Sequence, residues 1–140
     1  MATAMRTSVT RFGVLQIAIT VLVGLTALVH LYLGVGMAMI VATQPAQAAS
    51  MGGATAVSIL AALFCCNFAG YVVLATGLRL PALRRFQRVI RWTLVGYTAL
   101  TILAYFGVAQ GHAIDAFGLS DKVIECALIA LLVIEGRRAR

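Results

Sequence analysis

Asp121, Lys122 and Glu125 are the residues in this sequence most able to do chemistry, because they stand inside an otherwise apolar stretch. On a helix, residues three and four apart are neighbours, so Glu125 shares a face with Lys122 and Asp121. Two carboxylates and an ammonium in such a place can exchange a proton, hydrogen-bond a quinone or another small ligand, or lock one helix to its neighbours as a structural ion pair. Placing an acid near a bilayer centre costs about 2.5–3.5 kcal/mol on insertion scales, so Glu125 must find a partner. His30 is the second candidate, on a line of Thr26, His30, Gly34 and Ala38 at four-residue spacing. It suits either a neutral imidazole bonded to an adjacent helix or the axial ligand of a haem or chlorin, with Thr26 and Gly34 leaving room beside the ring. A bis-histidine haem needs a second imidazole, and the other histidine, His112, falls in a polar connection. Asn67 and Tyr105 join these residues in an expected polar pocket of His30, Asn67, Tyr105, Asp121, Lys122 and Glu125.

Other chemistries find little support. Cys65, Cys66 and Cys126 lie in apolar runs with no CxxC or Cys/His zinc spacing, and they act as small packing residues. No metal site is expected. No serine, histidine and acid stand in a nucleophile-elbow pattern, and no glycine-rich loop fits a phosphate. No catalytic residues are assigned, and the protein is expected not to be an enzyme.

The elements that hold these residues follow from composition and charge. The 140 residues are 62% hydrophobic and 11% charged, far from the roughly one-quarter charged residues of a soluble domain. Four apolar runs, at about 12–41, 54–78, 92–108 and 114–135, each approach the roughly 20 helical residues that one bilayer crossing requires. An apparent signal-peptidase site at Ala46-Gln47-Ala48 follows the first run, but that run is much longer than the roughly 7–15 apolar residues of a signal peptide. It is expected to remain as a helix that tilts or protrudes. Pro81 ends the second run.

The formal net charge of +7 comes from arginines in three clusters: Arg6 and Arg11; Arg79, Arg84, Arg85, Arg88 and Arg91; and Arg137, Arg138 and Arg140. Short basic connections mark the cytoplasmic side. The expected fold is therefore all-α: a single integral-membrane four-helix bundle, up-down-up-down, with both termini cytoplasmic. The basic loop 79–91 is expected to lie along lipid headgroups, its arginines touching them and Leu83, Phe86 and Ile90 turned to lipid. Trp92 suits an interfacial anchor. Basic charge of this kind directs topology and does not point to nucleic acid.

Helices in lipid associate through small residues that let backbones approach. The second run carries Ala54, Ser58, Ala62, Cys66 and Gly70 at four-residue intervals, flanked by Ala61, Cys65, Ala69 and Gly77. Gly34, Ala62, Cys66 and Gly70 are accordingly expected at helix contacts. Counting the 1.5 Å helical rise from the arginine boundaries puts Glu125 at about 15 Å depth, Asn67 at about 18 Å, Asp121 and Lys122 at about 20 Å, and His30 at about 27 Å.

Leu25-Thr26-Ala27-Leu28-Val29-His30-Leu31-Tyr32-Leu33-Gly34-Val35, and Asp121-Lys122-Val123-Ile124-Glu125 with the run Cys126 to Glu135, resemble small four-span membrane proteins of unknown function from haloarchaeal and other prokaryotic genomes. The resemblance implies only that His30 and the Asp121, Lys122 and Glu125 group belong to the shared pattern; the expected location is a prokaryotic cytoplasmic membrane, which the chain crosses several times. The resemblance implies no activity.

Three functions follow as expectations. The first is a non-enzymatic structural or accessory subunit, docked through small-residue faces onto a larger membrane complex or a second copy. The second is a quinone-, pigment- or small-ligand-binding redox or proton module centred on Glu125. A small transporter ranks below both: exporters of this size carry their key carboxylate on the first helix, where this chain has none.

Overall fold

The computed structural model describes residues 2–108 and 116–138, with side chains for 13–107 and 116–138. All regular elements in these residues are helical, with no strand among them. Helix α1 (Ala2–Thr43) runs through the first apolar stretch and, at 42 residues, begins well before residue 12. It ends because Gln44 precedes a proline and leaves the helical region, with φ −134° and ψ 64°. The expected loop after it holds a short helix, α2 (Pro45–Ser50), begun by a proline at its first position. Gly52 and Gly53, at φ 101° and 96°, then turn the chain through backbone space that side chains disfavour.

Helix α3 (Ala54–Arg79) stops at Leu80, held extended by Pro81. The basic segment is more ordered than a headgroup loop: Pro81–Phe86 forms a 3-10 helix and α4 (Gln87–Val108) begins five residues before Trp92. Leu83 and Ile90 do not face outward as expected. Both pack over Gly77, while Phe86 remains exposed. Helix α5 (Ala116–Arg138) completes the fold. The expected polar connection with Gln110, Gly111, His112 and Asp115 lies outside the described residues.

Segments Gly13–Thr43, Ala54–Arg79 and Pro81–Gly107 are long and apolar enough to cross a membrane. Helix α5 differs because it contains Asp121, Lys122, Glu125, Glu135, Arg137 and Arg138. The helices form a bundle in which α1 and α4 each pack against both α3 and α5. Neighbours run in opposite directions. Gln16 of α1 meets Arg79 at the end of α3, whereas Gly34 lies against Ala61 and Cys65 nearer its start. Likewise Arg91 and Thr101 of α4 meet Glu135 and Glu125 of α5, and Thr26 and Tyr32 of α1 meet Asp121 and Phe117.

The inward line of α5 is Asp121, Glu125, Leu128, Leu132 and Glu135, alternating steps of four and three residues as bundle packing requires. Leu128 and Leu132 form an apolar layer with Leu15, Ile19, Val23, Leu78 and Leu94. Carboxylates flank that layer on both sides, Glu135 toward the arginine-rich end and Glu125 with Asp121 toward the other. The interior is thus an apolar slab between two charged layers.

The packing face of α3 differs from the expected one. Ala54, Ser58, Ala62 and Cys66 are exposed, and the buried line passes instead through Val57, Ala61 and Tyr71 to Gly77 and Leu78. Small size alone does not choose this face. The helix is rotated so that Tyr71 enters the bundle, where its hydroxyl meets a buried carboxylate. Gly34 and Gly70 do make close contacts: a Cβ on Gly34 would stand 2.8 Å from Cys65 Sγ and 3.2 Å from the Ala61 carbonyl, and Gly70 lies beneath the Tyr97 ring.

Candidate functional site: a buried charged cluster

Four helices bring polar side chains to one layer. Helix α1 contributes Thr26 and His30, α3 contributes Tyr71, α4 contributes Thr98 and Thr101, and α5 contributes Asp121, Lys122 and Glu125; all are buried. They meet because the helices share a reference level at the arginine-rich end. Arg79 donates to the Gln16 carbonyl at 2.7 Å and pairs with Glu135 at 3.5 Å, placing Gln16, Arg79 and Glu135 side by side. His30 stands fourteen residues beyond Gln16, and Asp121 fourteen residues before Glu135. At 1.5 Å per residue both lie about 21 Å from that level. Counting α1 from Arg11 had put His30 too deep, because α1 extends past the shared level.

Lys122 is the centre of the charge pattern. Its Nζ lies 3.0 Å from Asp121 Oδ2 and bonds Glu125 Oε2 as well, so a single ammonium serves two carboxylates. The remaining acceptors are met from other helices. Thr26 Oγ1 donates to Asp121 Oδ1 at 3.1 Å, and the Tyr71 hydroxyl donates to Glu125 Oε1 at 2.9 Å. Thr101 Oγ1 lies 2.8 Å from both Glu125 Oε1 and the Thr98 carbonyl, so its single proton serves one at a time. The ring of Tyr105 lies 5.5 Å from the Lys122 ammonium, within reach of a cation–π attraction. Among the described residues, no fully enclosed side-chain nitrogen or oxygen lacks a hydrogen-bond partner.

His30 Nδ1 stands 2.9 Å from the Thr26 carbonyl one turn earlier. A carbonyl only accepts, so this nitrogen carries the proton and Nε2 is the basic one in the neutral ring. The rings of Phe64 and Tyr71 lie 5.8 and 5.5 Å from the imidazole. The space expected for a macrocycle is filled: Gly34 is pressed against α3, and Thr26 is bonded to Asp121. A haem or chlorin on His30 would have to displace these contacts.

A ring nitrogen of His30 and an oxygen each from Asp121 and Glu125 lie within 4.8 Å of one another. Imidazole and carboxylates are a donor set that suits a transition metal. Lys122 already supplies a cation to both carboxylates, and an incoming metal ion must displace it.

Of the six residues expected in a pocket, Asp121, Lys122 and Glu125 meet directly, His30 lies with a ring nitrogen within 4.8 Å of both carboxylates, and Tyr105 borders Lys122. Asn67 is set apart. Its side-chain carbonyl accepts from Tyr97 at 2.9 Å, and the Tyr97 ring packs edge-on against Tyr71 with centroids 5.2 Å apart. Tyr71 was missed in the sequence, although it stands one turn from Asn67 and bears a hydroxyl within an apolar run. Thr98 was missed too; it donates back to the Leu94 carbonyl at 2.8 Å.

The arginines divide into two groups. Arg79 and Arg91 turn inward to Glu135, Arg91 Nε at 3.1 Å, so each shares its guanidinium with an acidic partner. Arg84, Arg85 and Arg88 remain exposed, with the Arg85 guanidinium over the Phe86 ring at 4.6 Å.

Comparisons of the chain with protein-family models, with curated proteins and with solved structures found no match.

Proposed function

We propose that this protein is a four-span integral membrane protein of a prokaryotic cytoplasmic membrane, with both termini on the cytoplasmic side, and that its working centre is a proton-binding site formed by Asp121, Lys122, Glu125 and His30. Arginines at the same end of the four long helices support the orientation. The resemblance to small prokaryotic four-span proteins belongs to this reading. Counting α5 as the fourth span requires its charges to be internally satisfied, as those of Asp121, Lys122 and Glu125 are.

One observation carries the proton assignment: two carboxylates share one ammonium. With all three ionised, the buried group holds a net charge of −1, and one proton brings it to zero. An enclosed uncompensated charge is costly, so the cluster is suited to gaining and losing that proton. The titratable groups facing it are His30 from α1, Tyr71 from α3 and Tyr105 from α4; Thr26, Thr98 and Thr101 only hydrogen-bond. His30 Nε2 and the two carboxylates are the acceptors. Proton exchange here needs no cavity large enough for a quinone.

Infrared difference spectroscopy of the reconstituted protein between acid and alkaline pH tests this. A protonated-carboxyl or imidazolium band should appear in the wild type and change in Glu125→Gln or His30→Gln, while circular dichroism reports an intact bundle. If the folded wild type shows no such band across the pH range, the cluster is a structural lock and the proposal fails.

A second reading, an accessory subunit docked in the bilayer, draws support from the outward position of Ala54, Ser58, Ala62 and Cys66. Small residues turned away from the bundle permit close approach by another helix. A strictly monomeric species in mild detergent, free of any stoichiometric partner, would count against it.

A further inference from the structure

We propose that the groove between the start of α4 and the end of α5 is a binding site for the phosphate of an anionic phospholipid. The groove has a volume of about 510 Å³ and its lining includes Gln87, Arg88, Arg91, Trp92, Gly136 and Arg137. It is separate from the buried cluster and beyond its chemistry. Only its placement at a membrane surface rests on the orientation proposed above.

Among the described residues, the charge in the groove is unbalanced. Each carboxylate among the described residues is already engaged: Asp121 and Glu125 by Lys122, and Glu135 by Arg79 and Arg91. Arg88 and Arg137 are exposed and have no acidic partner among those residues. Glu135 holds Arg91 through Nε, which fixes its side chain along the groove wall. Gly136 makes this possible, since a Cβ there would lie 3.3 Å from Arg91 Cδ. The site therefore has one preorganised guanidinium and two that have no acidic partner among the described residues, and guanidinium groups match phosphate oxygens in paired hydrogen bonds.

The other wall selects a lipid over a free anion. Trp92, 51% exposed, forms it together with Val133. An indole beside arginines at the end of an apolar helix suits the glycerol and upper acyl region beneath a headgroup. A soluble phosphate would leave that apolar wall unused.

Trp92 is the only tryptophan in the chain, so its fluorescence reports on this groove alone. The full-length protein is reconstituted in vesicles of phosphatidylcholine and phosphatidylglycerol at a fixed ratio, with the bromine on one lipid or the other. Brominated phosphatidylglycerol should quench Trp92 beyond its share of the bilayer, with a preference of about fivefold, the size one arginine contributes near an anionic surface. Arg88→Gln with Arg137→Gln should lower that preference several-fold, with Arg91 retaining a remnant, and Arg88→Lys with Arg137→Lys should weaken it less. Quenching by both lipids in proportion to their amounts, in the wild type, overturns the lipid site while leaving the membrane reading intact. No quenching by either lipid overturns the membrane reading as well. If inorganic phosphate abolishes the preference where chloride of equal ionic strength does not, the ligand is a soluble phosphate and the lipid assignment falls. The wild-type comparison decides the matter even where the glutamine variants do not fold.

Discussion

The Tyr71 hydroxyl reaches Glu125 Oε1 at 2.9 Å across the diagonal of the bundle, joining α3 to α5 although those two helices do not pack against each other. It stabilises a carboxylate that is fully buried and sets the rotation of α3. Replacing Tyr71 with Phe keeps the ring and removes the donor, and should cost about 1–3 kcal/mol of stability, the penalty for leaving a buried acceptor short of a partner. Tyr97→Phe loses the bond to Asn67 at a half-buried site and should cost only about 0.5–1.5 kcal/mol. Thermal unfolding of both variants in the same detergent checks the order; equal losses would remove Tyr71 from its assigned role.

Lys122→Met leaves two buried carboxylates facing each other without a cation. The expected loss is about 3–5 kcal/mol, as when one partner of a buried ion pair is removed. Adding Glu125→Gln to that variant should restore part of the stability, because one of the orphaned charges is gone. A double-mutant cycle from denaturant unfolding measures the coupling, and strictly additive losses would mean that the two residues do not share their charge.

At the arginine-rich end, Glu135 is 3% exposed at its side chain, but its partners Arg79 and Arg91 are 31% and 12% exposed. Glu135→Gln should therefore cost about 1–3 kcal/mol, less than in a fully enclosed pair because water reaches the guanidinium groups. The loss should shrink as salt is raised, which unfolding in detergent at several ionic strengths will read. A salt-independent loss would point to packing as its cause.

Gly34 and Gly36 offer a matched pair on α1. A methyl group at Gly34 meets Cys65 Sγ at 2.8 Å and two α3 backbone atoms, the Ala61 carbonyl oxygen and Cys65 nitrogen, at 3.2 Å, whereas Gly36 has nothing within 4 Å. Gly34→Ala should force α1 and α3 apart and cost about 1–3 kcal/mol. Gly36→Ala should be neutral or stabilising by up to about 1 kcal/mol through helix propensity. Melting temperatures that move in the same direction for both would contradict the close approach of α1 to α3.

Much of this architecture is written in residue order. Apolar runs, Pro45 and Pro81 locate the four long helices and the ends of α1 and α3, because those signals act over a few residues and depend on no distant partner, whereas the starts of α1 and α4 and the short α2 lie outside the apolar runs. The face shared by Asp121, Lys122 and Glu125 follows from helical spacing in the same way. Which residues from other helices meet that face does not, since it depends on axial offset and on rotation. The offset comes from Arg79 bonding both Gln16 and Glu135, which aligns His30 with Asp121 although depths counted from the nearest arginines disagree. Rotation follows the most demanding buried group: Glu125 needs donors, and satisfying it turns Tyr71 inward and leaves Ala62 and Cys66 outside. Small residues permit close packing on several faces of α3, but only one face brings a hydroxyl to a buried carboxylate, and the cost of leaving that charge unmet exceeds what a tighter small-residue contact would return.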